Sequence, residues 1–254
     1  MIDLKFGKKP ASVNAKDLKL AHYLDTTVLP TSWPHPNFGN GSRFRNWLML
    51  GNDEVGDCVI ASRCHLTMLD TSIGPEATAR FTTASAIAEY SAVTGYDPND
   101  PSTDQGTDMR AMCSYQRKTG LKDADGNRHK IGAYLALEPG NTLQALQAVW
   151  LFGGFPFGFT VPESAMEQFD KGEIWDDVGD TNILGGHEVC GVGTMDWHGR
   201  LTVVTWGKRQ EMTFAFLKAY NDESWAYVDP EILSAGGTWR GLNLDKLNED
   251  MAAL

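Results

Sequence analysis

The spacing of apolar residues changes character near the middle of this 254-residue chain, and that change constrains the fold more than any single motif. Before about residue 120 the apolar positions recur at helical intervals. After about residue 130 they come in short alternating or continuous runs: FPFGFTV, HEVCGVGTM, LTVVTW and WAYV. Such runs are the mark of strands. A helical half followed by a strand-rich half predicts an α+β protein with two lobes. The first helix is expected from Cys58 to about Leu69, with Asp57 as its N-cap and Gly74-Pro75 closing it. Helices are also expected over Thr83 to Thr94, ended by Gly95, and over Asp108 to Thr119. Ile131 to Leu137 reads as a strand, and Asn141 opens a helix, NTLQALQAVWLF, stopped by Gly153-Gly154.

The two ends read differently. Pro10, Pro30, Pro34 and Pro36, with Gly39 and Gly41, break any period in residues 1–45. This stretch is expected to be an arm lying over the body. From about Pro230 the tail carries one amphipathic stretch, LDKLNEDMAAL, suited to a short helix. One or both ends are expected to pack on the strand-rich lobe or on a neighbouring subunit.

A formal charge of -11 opposes non-specific nucleic-acid binding, which depends on lysine and arginine meeting phosphates. No apolar run approaches the length of a membrane span, and MIDLKFGKKPAS lacks the apolar stretch of a secretory signal. Cys58, Cys64, Cys113 and Cys190 form no C-x-x-C pair and no metal-finger spacing, so neither metal nor cofactor is expected. They read as reduced thiols of a cytosolic setting, with Cys64, Cys113 and Cys190 serving as small buried hydrophobes.

Chemistry concentrates in GNDEVGDCVIASRCHL, where Cys58 falls at the seam between an acidic loop and a helix. Unpaired N–H groups and a positive dipole at a helix start favour thiolate, whereas Asp53, Glu54 and Asp57 oppose it. A nucleophilic thiol needs a base. His22 and His35 lie in the arm, His65 is two turns along the same helix, and His129 and His198 sit in polar turns. His187 follows Gly185-Gly186 and is expected to open an apolar strand, which suits a base but equally suits a strand-end histidine without a task.

Taken together, GNDEVGDCVIAS, GGHEVCGVG and VTWG resemble the papain-like cysteine peptidases. Cys58 and His187 keep the family order at a separation of 187 − 58 = 129 positions. GTDMRAMCSYQRKTGL resembles the helix that follows the glycine-rich wall of the substrate cleft, and TLQALQAVWLFGGFPFGFTV resembles the helix and strand before the histidine. The resemblance implies a papain-like two-lobed fold: an arm at 1–45, a helical lobe at about 46–125, an antiparallel strand-rich lobe at about 126–230 and a tail at 231–254. It implies Cys58 as nucleophile, His187 as base, and Asn52, where the family has glutamine, as oxyanion donor. Trp206 would shield the pair, and Gln105 and Gly106 would line the substrate cleft. Its partner would be a peptide or protein substrate, with no nucleic acid and no membrane.

The departures are as specific. Val204 stands where the family orients its histidine with asparagine, and Thr205 beside it is expected to face the other way. Val55 replaces the family's bridging cysteine. The arm is too short to be a separate inhibitory domain, so no inhibitory propeptide is expected. Glu188 beside His187 would favour imidazolium. The GND-x-x-GDC pattern resembles papain-like proteins carried by phages. Three readings stay open: a cysteine peptidase or amide hydrolase of weak activity; a catalytically impaired papain-fold binding or structural protein, for example a phage particle component; and a cell-wall amidase. Virion or homo-oligomer contacts are expected partners beside a substrate. The expected location is cytoplasmic or virion-associated.

Overall fold

The computed structural model describes residues 4–12, 14–29, 39–75, 77–193, 199–229 and 241–253. Pro30, Pro34, His35, Pro36, Thr194, Met195, His198 and Pro230 lie outside the described residues.

Helices come first. The helix α1 (Cys58–Ile73) is buried along nearly its whole length. Asp57 holds its N-cap position, but its side chain makes no capping bond. The helix α2 (Thr83–Thr94) starts on a capping box between Thr82 and Ser85, and ends at left-handed Gly95. In α3 (Met109–Lys118) the Asp108 carboxylate caps Ala111 N–H, and Arg117 and Lys118 complement the dipole at the other end.

After two short strands, β1 (Leu121–Lys122) and β2 (Arg128–His129), the chain builds its main sheet. The members are β3 (Ala133–Ala136), β4 (Phe155–Pro162), β5 (Ile183–Gly193), β6 (Arg200–Thr205), β7 (Lys208–Thr213) and β8 (Asn221–Val228). They lie in the order β3-β8-β4-β5-β6-β7, every pair antiparallel. Between them run α4 (Thr142–Phe152), α5 (Glu163–Lys171) and α6 (Phe214–Tyr220), and α7 (Leu244–Ala252) closes the described chain. The apolar spacing revealed neither α5, α6 nor β7. Lys208 and Arg209 hide β7, because an edge strand can expose a polar face.

The sheet divides the core by residue parity, since neighbouring strand side chains face opposite sides. Phe155, Phe157, Phe159, Val189, Leu201 and Val203 join one cluster with α4, α5 and α6. Cys190, Val192, Val204, Trp225 and Tyr227 join the other, with α1, α2 and α3. Both ends of the chain are tied down. Tyr23 donates to Asp250 of α7 at 2.8 Å, Leu24 bridges Leu242, and Leu20, Tyr23 and Leu247 are buried in the cluster of the strand-rich lobe.

One charged group crosses between α1 and the sheet. Arg63 and Glu188 are both fully enclosed, with Nε 2.8 Å from Oε1, poorly aligned for a hydrogen bond, and Nη2 donating to Oε2 at 3.1 Å. Arg63 also donates to Tyr227 of β8, whose hydroxyl meets Cys113 Sγ of α3 at 3.5 Å. Burial raises the Glu188 carboxyl to about 7 while Arg63 pulls it back. Removing one member of such a pair strands the other without water. Arg63→Ala should therefore cost about 3–5 kcal/mol in denaturant unfolding, and Arg63→Met with Glu188→Leu should cost much less. Equal costs for the single and double variants would contradict this account.

Candidate active site

The thiol comes first. Cys58 is the first residue of α1 and is almost completely buried. Burial pushes its thiol up to about 12, and the Glu188 and Asp57 carboxyls add to this. Backbone N–H groups of Glu188 and Gly7 act in the opposite direction, favouring thiolate. Of the three acids expected to crowd the sulfur, Asp53 and Glu54 are exposed, and only Asp57 is buried beside it. Burial, and then the Asp104 charge, raises the Asp57 carboxyl well above the usual range. All four cysteines are free and buried.

His187 does not open its strand. The strand β5 begins at Ile183, so the histidine sits well inside it and is fully enclosed. Its ring stacks on Trp206, with centroids 4.3 Å apart and planes at 15°. Burial alone lowers its pKa to about 3, so the imidazole is neutral. Glu188 does not supply the expected charge to it. Strand alternation turns that carboxylate to the opposite face, onto Arg63.

The orienting partner is Thr205. Its Oγ1 lies 2.7 Å from His187 Nε2, while Nδ1 is buried without a hydrogen-bond partner. Neither ring nitrogen bonds the Cys58 sulfur in this closed arrangement. The expectation that Thr205 faces away is corrected by the register. Cys190 pairs with Val204, which places Val204 on the α1 side and Thr205 on the face of His187, diagonal to it across β5 and β6. Val204 is core, not a vacant orienting position.

A peptide segment fills the groove between the lobes, and it is the chain's own arm. Thr107 N–H donates to Gly7 O at 2.7 Å, Lys9 N–H to Thr107 O at 3.0 Å, and Lys8 N–H to Gly186 O at 3.0 Å. Lys8 and Thr107 therefore pair in parallel. Asn52 is buried, and its Nδ2 donates weakly to Lys5 O and Val55 O, each at 3.4 Å. The Phe6 ring lies edge-on to His187 at 6.1 Å and tilted to Trp206 at 6.3 Å. Gly7 can pass because it has no side chain: a Cβ there would overlap the carbonyl of Gly56. A few residues of the arm thus cover the site, and no separate domain is needed for this.

Gln105 and Gly106 line the rim of this filled groove, a surface depression of about 590 Å³ shared with residues 4–10 and Leu184. Gln105 is exposed and donates to Ser102 O at 2.8 Å. Gly106 is buried against the arm, its N–H donating to Tyr90 Oη at 2.9 Å. Thr107 and the arm's seat in the groove went unnoticed in the sequence because they act through backbone groups, which carry no residue-type signal. Among the described residues no cluster of His, Cys, Asp and Glu is arranged to hold a metal ion.

The fold has counterparts among solved structures. Xylellain, a cysteine protease from Xylella fastidiosa, matches with TM-score 0.61 and 14% identity, over 89% of this chain and 97% of its own. The proCathepsin B S9 of Trypanosoma congolense matches with TM-score 0.61 and 12% identity, over 89% of this chain and 86% of its own. The fold is papain-like. A digestive procathepsin L2 from Tenebrio molitor larval midgut also matches, with TM-score 0.55 and 14% identity, over 79% of this chain and 70% of its own. No family model and no curated protein matches the sequence.

Two substitutions separate the roles of neighbouring residues. Thr205→Val leaves a buried imidazole nitrogen unpaired, and should cost about 1–3 kcal/mol of unfolding free energy, with Thr205→Ser restoring most of it. Val204→Asn places an amide in the α1-facing core, so it should destabilise by a similar amount and supply His187 with nothing. A gain in stability or in thiol reactivity from Val204→Asn would contradict the register argument. Gly7→Ala should release the arm, read as faster amide exchange at Lys8, Lys9 and Thr107.

Proposed function

We propose that this chain is a papain-like cysteine peptidase or amide hydrolase, with Cys58 as nucleophile and His187 as base, held closed by residues 4–10. The observation that carries the reading is the seated arm: the groove binds a peptide backbone on both walls directly across a helix-head cysteine. The arm is a poor target in this pose. It offers the sulfur the N–H of Gly7, whereas attack requires a carbonyl carbon.

With the arm displaced, water reaches the pair and the burial that holds both groups neutral is relieved. A substrate carbonyl then takes the place of the arm. The Cys58 sulfur forms a bond to the carbonyl carbon as its proton passes to His187. The oxyanion is met by Asn52 Nδ2 and the Cys58 N–H, each such donor being worth about 3 kcal/mol. Collapse breaks the C–N bond, and the amine leaves with the proton from His187. Water then attacks the acyl-enzyme, with His187 again taking a proton, and the thiol is restored. Thr205 fixes the imidazole tautomer, and Trp206 keeps water from its face.

The non-catalytic alternative, a papain-fold component of a phage particle, also has an observation in its favour. In the closed form the thiol near 12 and the imidazole near 3 are both neutral across the whole interval between those values. The phage association, and with it a virion location, rests on the GND-x-x-GDC resemblance alone.

Alkylation of Cys58 against pH decides between the two. The parent should react slowly near neutral pH. Gly7→Ala should raise the Cys58 rate at least about tenfold, and adding His187→Ala should reduce it again by a similar factor. Hydrolysis of a peptide amide should follow the same order and vanish in Cys58→Ala. If the opened protein alkylates identically with and without His187, the pair is not coupled and the particle-component reading replaces the enzymatic one.

A further inference from the structure

The helix head carries an acid that the mechanism does not use. Asp57 occupies the N-cap position of α1, immediately before Cys58, yet its side chain makes no capping bond. It is wholly enclosed, and neither carboxyl oxygen has a hydrogen-bond partner among the described residues. A Cβ on Gly51 would lie 3.2 Å from both Asp57 Oδ2 and Ile87 Cγ1, so the carboxyl looks onto backbone and an apolar side chain of α2. The Asn52 amide is near enough to favour the anion weakly, but it donates to Lys5 O and Val55 O. An enclosed carboxyl without firm donors is far costlier ionised than protonated.

Asp104 is in the opposite situation. Its Oδ2 receives Gly56 N–H at 2.9 Å, and its Oδ1 receives the Tyr90 hydroxyl at 2.5 Å. Tyr90 in turn accepts Gly106 N–H. This network ties the wall loop of Gly106 and Thr107 to Gly56, one residue before Asp57. Two donors suit a carboxylate. After burial itself, the Asp104 charge is what holds the proton on Asp57. The other titratable groups that face Asp57 are Asp53 of its own loop, Cys58 and Cys64 of α1, Tyr90 of α2, and Tyr96 of the loop after α2. None of these is a cation. Two neighbouring carboxyl groups in such unequal surroundings divide into one neutral acid and one anion.

We propose that Asp104 is a positioning residue that keeps the proton on Asp57 and thereby frees Cys58 from an anion at the helix head. The inference deepens the peptidase reading and rests on it. Ionised, Asp57 would oppose a thiolate one residue away. Protonated, it adds no charge beside the sulfur, and the unpaired N–H groups and dipole of the helix start act without that opposition. The Asp57 carboxyl is neutral below its raised pKa and charged above it, so support for the thiolate fades as pH rises through that value. Asp104 acts through Asp57, since its own contacts are with Gly56 and Tyr90.

The test follows Cys58 alkylation against pH in the full chain carrying Gly7→Ala, which releases the arm. Adding Asp104→Asn keeps an acceptor for Gly56 N–H but removes the charge. The rate near neutral pH should fall at least about fivefold, because Asp57 then ionises beside the sulfur. In an Asp57→Asn background, which cannot ionise, the same Asp104→Asn change should alter the rate by less than about twofold. A similar fall in both backgrounds, or no fall in either, would overturn the proposal. NMR of the parent protein with isotopically labelled aspartate carboxyl carbons needs no variant. Asp57 should remain protonated at neutral pH, and an ionised Asp57 there would overturn the proposal whatever the variants do. Adding His187→Ala separates the two readings. Alkylation that depends on Asp104 but ignores His187 would keep the coupling of Asp104 to Asp57 and overturn the peptidase reading. Alkylation that depends on His187 but ignores Asp104 would keep the peptidase reading and overturn the coupling. Dependence on neither would overturn both.

Discussion

The placement of Cys58 against His187 depends on the buried pair between Arg63 and Glu188. Arg63 belongs to α1, whose first residue is Cys58, and Glu188 follows His187 in β5. The pair therefore sets the helix that carries the thiol against the strand that carries the imidazole. Tyr227 and Cys113 extend it to β8 and α3. Two enclosed charges are a costly way to hold elements together, because both are taken out of water. They nevertheless have a property that apolar contacts lack. A sliding Leu or Val finds another apolar neighbour, whereas a sliding arginine in the interior finds none for its charge. The pair thereby favours one register of helix on sheet.

That register propagates through the parity of the strands. With Glu188 turned to α1, His187 must face the other side, and Thr205 and Trp206 meet it there. The same alternation sends Val204 into the α1-facing core opposite Cys190. A hydroxyl in place of an amide gives the imidazole a shorter partner. The stacked indole and the edge-on Phe6 and Phe159 rings complete a dry cage around it. The low pKa of His187 is a consequence of that cage, and part of the cage belongs to the arm.

The arm and the site are thus one electrostatic unit. With residues 4–10 in place the thiol and imidazole are neutral, the Asn52 amide is spent on backbone carbonyls, and Lys8 neutralises Asp222. Each contact occupies a group that lines the groove. Ordering the segment costs chain entropy, which the backbone hydrogen bonds at both walls offset.

The sequence by itself determined the α+β class, the helices α1 to α4 and the strands β3 to β6 and β8, and it singled out Cys58 and His187 as candidates. The elements follow from apolar periodicity and capping residues, which are local, and the two candidates from motifs that resemble a known family. The helix α5 and the strand β7 were not legible, since polar residues on an exposed face blur the period. Tertiary structure alone decided which of Val204 and Thr205 meets His187, because a residue in a strand can face either side until a partner strand sets the register. It alone placed Glu188 on Arg63, 125 positions away. It alone brought the arm into the groove, where backbone groups of Gly7, Thr107 and Gly186 make the contacts. Every residue type carries such groups, so only the folded chain determines which of them meet.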